Sequence, residues 1–74
     1  MREYSIDVSR IEDLQTTNNI SELEKIFNKA KSTIVNGERV ILFRKDQSGA
    51  MNKFDEINTL EDLEQYKRGV FKYL

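Results

Sequence analysis

Val40-Ile41-Leu42-Phe43 is a run of four consecutive apolar residues, bracketed by Glu38-Arg39 before it and Arg44-Lys45 after it. Successive side chains of a strand point to opposite sides, so a short run of this kind reads as a β-strand buried on both faces. Such a strand must lie at the centre of a sheet, or have its outer face and edge covered by something else. In 74 residues the covering material is scarce. A domain near this size buries about 60% of the surface its unfolded chain exposes, and a single core then contributes roughly 3–5 kcal/mol of net stability. The chain contains neither Cys nor His, so disulfides and thiolate or imidazole zinc sites are excluded as reinforcement.

The remaining elements follow from periodicity and caps. Tyr4, Ile6 and Val8 alternate with polar residues and read as the buried face of a first strand. Ser9-Arg10-Ile11-Glu12 has capping-box spacing, which predicts one or two helical turns before the polar run Gln15-Thr16-Thr17-Asn18-Asn19 breaks them. Ser21-Glu22-Leu23-Glu24 is a second capping box. It leads into Leu23, Ile26, Phe27, Ala30 and Ile34, the spacing of one helical face, and predicts a helix from about Glu22 to Val35 with Asn36-Gly37 as its left-handed exit. Asp46-Gln47-Ser48-Gly49 is a turn joining the Val40–Phe43 strand to a weaker one over Met51 to Ile57. There Met51, Phe54 and Ile57 fall three apart, so a bulge or partial pairing is expected. Thr59 caps a last helix carrying Leu60, Leu63 and Tyr66 inward and ending at Gly69. Val70 to Leu74 fit either a closing strand or continued helix.

This order predicts a single small domain over residues 1–74 of the α+β class. It is a two-layer β-α-β-β-α(-β) arrangement with helices packed on one face of a small mixed sheet. With the closing strand the order resembles the split βαβ, ferredoxin-like topology. That topology usually puts the second strand at a sheet edge, which conflicts with a strand apolar on both faces. Two repairs follow. Either the strand is central, with the first strand parallel on one side and the third antiparallel on the other, or a partner chain covers it.

The absence of His and Cys leaves carboxylates, hydroxyls, Lys and Arg as possible reactive groups. Asp55, Glu56, Glu61, Asp62 and Glu64 form the richest acidic stretch. A hard cation wants several oxygen ligands, but the spacing matches no calcium loop, and Glu61 and Asp62 are already explained as favourable charges in a first helical turn. Gly37, Gly49 and Gly69 are scattered, so there is no phosphate-binding glycine loop, and Ser48 has no base beside it and no strand-to-helix elbow. The expectation is a non-enzymatic chain with no metal and no cofactor.

Lysine and arginine number 12 against 13 acids, the pI is about 5.4 and the mean hydropathy is -0.66. No long-range positive field draws the chain to nucleic acid or an anionic membrane. No apolar run approaches membrane-spanning length, and Met1-Arg2-Glu3-Tyr4-Ser5 lacks a signal-peptide core, so the expected location is the cytoplasm. The leading functional expectation is a protein-interaction domain, with a second copy of itself as one partner in a homodimer. Its candidate surface is Ile41, Phe43, Phe71 and Tyr73, which exceed the apolar area that two short helices readily cover. The alternative is a nucleic-acid-binding accessory protein using Arg44, Lys45, Lys67 and Arg68, interleaved with aromatics as in RNA-recognition motifs. Against it, the third strand reads Met51-Asn52-Lys53-Phe54-Asp55-Glu56-Ile57, with acids where that motif stacks bases.

Overall fold

Asp7 both ends the first strand and starts the first helix: its backbone is extended, and its carboxylate Oδ1 accepts the Ser9 N–H at 2.9 Å. The computed structural model describes residues 3–72 and 74. Among them the element order is β1 (Glu3–Asp7), α1 (Val8–Thr16), α2 (Ile20–Val35), β2 (Arg39–Lys45), β3 (Met51–Ile57) and α3 (Leu60–Phe71). The segment after β1 is therefore a full helix rather than a turn or two, and Val8, expected on the strand, is its first residue. Asp7 replaces the expected Ser9 cap because its carboxylate sits two residues earlier and reaches an orphan N–H from there.

The polar run that breaks α1 also starts α2. Asn18 adopts φ 53, the left-handed region that asparagine tolerates, and two bonds close the helix end: Asn18 N–H to Gln15 O at 3.2 Å and Asn19 N–H to Leu14 O at 2.9 Å. Asn19 Oδ1 then accepts the Glu22 N–H at 3.3 Å and caps α2, displacing the expected Ser21 cap. The far end of α2 repeats the motif. Gly37 at φ 81 lets its N–H reach Ile34 O (2.9 Å) while the Glu38 N–H reaches Thr33 O (3.0 Å).

β2 is the central strand, in the order β1-β2-β3. β1 lies parallel to it with Glu3 opposite Arg39 and Asp7 opposite Phe43. β3 is antiparallel, joined through the Asp46–Gly49 turn, in which Gly49 has φ 86. The pairing slips between Leu42 and Phe43, where Asp55 and Lys53 are the successive partners and Phe54 is left as a bulge. This is the first of the two repairs: central placement within one chain accounts for the apolar run. Val40 and Leu42 join Ile6 and Ile57 beneath the helices, where Ile11, Leu23, Phe27, Ala30, Leu63 and Val70 complete the core.

α3 departs from the sequence reading at its end. Thr59 Oγ1 accepts the Asp62 N–H at 3.1 Å as expected, but the helix runs through Gly69 to Phe71. Val70 is buried and Phe71 packs on Phe27 with ring centroids 5.8 Å apart, so the apolar contacts at helical spacing outweigh the roughly 1 kcal/mol that an interior glycine costs. Gln15 Nε2 donates to Val70 O at 3.0 Å and satisfies one of the terminal carbonyls. Among the described residues there is no closing strand, and the β-α-α-β-β-α order differs from a strict ferredoxin-like fold. No helix among them is long and apolar enough to cross a membrane.

Candidate functional site

Ile41 and Phe43 point away from the helices, because they alternate with Val40 and Leu42 along β2. They are nonetheless only 7% and 8% exposed. Their register partners explain how. Ile41 lies between Ser5 and Glu56, and Phe43 between Asp7 and Lys53. A chain of ion pairs crosses this helix-free face: Glu3 Oε1 accepts from Arg39 Nε (2.8 Å) and Nη2 (2.5 Å), Arg39 Nη1 reaches Glu56 Oε1 at 3.4 Å, and Lys53 Nζ reaches Glu56 Oε2 at 2.8 Å. The hydrogen bond to Glu3 raises the Arg39 pKa, and the Lys53 bond lowers that of Glu56. The apolar stems of these long side chains roof a face that no helix covers.

The four residues of the expected apolar surface are thus divided. Ile41 and Phe43 share the helix-free face, whereas Phe71 is half-buried on the other side of the sheet against Phe27. Tyr73 lies outside the described residues. The expected basic surface is divided as well. Arg44 is ion-paired with Glu12 of α1, and Lys45 points to the opposite face of β2. Lys67 sits 5.8 Å from the Phe71 ring, and Arg68 is exposed in the last turn of α3. Among the described residues no group of three or more acids is placed to hold a metal ion.

The free strand edges carry a contrast that the sequence does not announce. β3 is blunted in three ways: the bulge at Phe54, the charged Lys53, and an Asp55 carboxylate that already takes the Glu56 N–H at 2.8 Å. β1 carries fewer of them: it is charged at Glu3 and Asp7, and the Asp7 carboxylate takes the Ser9 N–H, but its pairing has no bulge. Its five residues, Glu3-Tyr4-Ser5-Ile6-Asp7, contain no proline, lysine or bulge. Depressions flank it, one of about 270 Å³ that includes Ile6, Arg10, Ile26 and Phe43, and one of about 330 Å³ between Glu3, Lys29, Thr33 and Glu38. Tyr4 lines both, with Lys29 Nζ 4.7 Å above its ring, and burial raises its pKa.

In the sequence, alternation marks Tyr4 and Ile6 as one face of this strand, and nothing there marks it as an edge. That β1 is an edge at all depends on strand order. No protein-family model, no curated protein and no solved structure matches the chain.

Proposed function

We propose that this chain is a non-enzymatic protein-interaction domain that takes up an extended, basic segment of another protein as an added strand beside β1. The contrast between the two sheet edges carries the reading: β3 is broken by a bulge and carries a lysine, whereas β1 offers an unbulged, lysine-free backbone edge between two depressions. Main-chain hydrogen bonds to β1 supply affinity in this mode, and the side chains alternating along the added strand supply specificity.

Charge selects the partner. Glu3 and Asp7 lie two positions either side of Ser5 on the helix-free face, and both Arg39 hydrogen bonds to Glu3 fall on Oε1. An incoming strand with basic residues four apart places one beside each acid. A second copy of β1, antiparallel about Ser5, sets Glu3 against Asp7 twice, and like charges directly opposite each other are destabilising. The partner at this edge is therefore another protein rather than a second copy.

The test is a titration of the isotope-labelled chain with a short peptide in the order lysine, valine, threonine, valine, lysine, beside the same peptide with glutamates for lysines. The lysine peptide should shift the amides of Tyr4 to Asp7 and slow their exchange, less so as salt rises. Shifts confined to β3, equal effects of the two peptides, or a dimer of the free chain with β1 amides protected would each overturn the reading.

A further inference from the structure

We infer that the segment taken up beside β1 carries an acidic residue on its helix-facing side, held between Lys29 of α2 and Arg10 of α1. The inference rests on strand addition at β1 and supplies the second half of the partner's pattern: basic on the helix-free face, acidic on the other.

Side chains of an added strand alternate as those of β1 do. Positions beside Glu3, Ser5 and Asp7 lie on the helix-free face, and positions beside Tyr4 and Ile6 lie on the helix side. On that side the open edge is bounded by groups within reach of solvent: Tyr4 and Ile26 are half-buried, and Lys29 and Arg10 are exposed. Both cations gather at Tyr4. Lys29 Nζ stands over its ring at 4.7 Å. Burial raises the Tyr4 pKa and the positive charge of Arg10 opposes that rise, so the guanidinium acts on the same side chain. Each cation lines one of the two depressions that meet at Tyr4.

Neither cation is firmly held by an acid. Glu3 and Glu38 line the Lys29 depression, but Glu3 is bonded to Arg39, and among the described residues no carboxylate is ion-paired with Lys29. The one acid paired with Arg10 among the described residues is Glu22, at 3.7 Å, which is longer than a hydrogen bond, and Glu22 has Lys25 closer at 3.3 Å. Arg10 can therefore turn to a new anion without leaving Glu22 alone. Two loosely held cations around one ring complement an acid on the helix side of an incoming strand and disfavour a lysine there.

The test is an amide-shift titration of the full chain with a peptide in the order lysine, glutamate, threonine, valine, lysine, with its reverse, and with both again carrying glutamine for glutamate. Strand direction decides which helix-side position meets Tyr4, so one glutamate peptide should bind about twofold to fivefold more tightly than its glutamine counterpart, the worth of one cross-strand ion pair. Its shifts should extend from Tyr4 and Ile6 to Arg10 and Lys29, and its advantage should shrink as salt rises. The double variant Arg10→Gln, Lys29→Gln changes two exposed side chains and should lose the difference between the two peptides. Equal affinity of glutamate and glutamine peptides, with the β1 amides shifting for both, would overturn this inference and leave strand addition at β1 standing. A glutamate advantage that survives in the double variant would overturn it as well. Absence of binding by all four peptides would overturn both readings.

Discussion

Replacing Phe27 with alanine removes the side chain on which the helical layer converges. Phe27 is 2% exposed on α2, and its ring lies 5.7 Å from that of Tyr66 and 5.8 Å from that of Phe71, both on α3. Truncating a buried phenylalanine to alanine costs about 3–5 kcal/mol in transfer and cavity terms, and each tilted ring pair adds about 0.5–1.5 kcal/mol beyond area. At about 0.05–0.15 kcal/mol per residue, a 74-residue chain has roughly 4–11 kcal/mol in total, with the low end expected of so small a core. Phe27→Ala should therefore be largely unfolded at 25 °C, seen as loss of the cooperative urea transition followed by circular dichroism. Phe27→Leu keeps most of the apolar volume. Losing both ring pairs should cost it about 1–3 kcal/mol, with a cooperative transition retained and the Tm lowered by about 4–8 °C per kcal/mol. If Phe27→Ala melts cooperatively within a few degrees of the natural chain, the three-ring cluster does not hold α2 on α3, and the argument for why the helix runs past Gly69 fails with it.

Burial pushes the Tyr66 hydroxyl from the ordinary 10.0 up to about 12, with Glu12 adding to the shift and Arg44 opposing it. Because the folded pKa is the higher one, this contribution is complete below about pH 10 and is lost as the pH rises towards 12; Tyr66→Phe should flatten the alkaline fall in Tm over that window. Asp46 has the opposite sign. Its carboxylate accepts from Ser48 Oγ (2.6 Å), Ser48 N (2.9 Å) and Ala50 N (3.0 Å), and these bonds, the Ser48 side chain foremost, hold its pKa below the usual value. Its contribution to the β2–β3 turn is complete above about pH 4 and is lost as the pH falls through the depressed pKa, so the protection of the amides of residues 44–52 relative to the unfolded-chain exchange rate at the same pH should fall on acidification, and Asp46→Ala should show that lower protection at neutral pH. Asp7→Ala removes the α1 cap and should cost about 1 kcal/mol, a Tm drop of about 4–8 °C.

The expected elements that the structure keeps are those set by neighbours in sequence. The apolar spacing from Leu23 to Ile34 makes α2, Gly37 ends it, Asp46 to Gly49 turn the hairpin, and Thr59 caps α3. The departures fall where a local signal competes with burial. Gly69 signals a helix end, but Val70 and Phe71 gain more by packing on the core than the glycine loses in propensity. Ser9 and Ser21 have the spacing of caps, yet Asp7 and Asn19 stand at the positions from which a side-chain oxygen reaches the first free N–H groups.

By itself, then, the sequence determined that this chain is one small α+β unit without thiol, imidazole or disulfide chemistry, with a doubly apolar strand requiring cover on both faces. Those properties depend on residue identity and on interactions spanning only a few positions. Tertiary structure alone decided what covers Ile41 and Phe43, which edge is open and how α1 is tied to α3. Each of these depends on pairing across long separations, such as Glu3 with Arg39 or Gln15 with Val70, and no short-range pattern encodes which distant segments meet. The run at Val40 to Phe43 posed the question of cover; the answer is β1 and β3 at its sides, helices above, and a row of ion-paired side chains below.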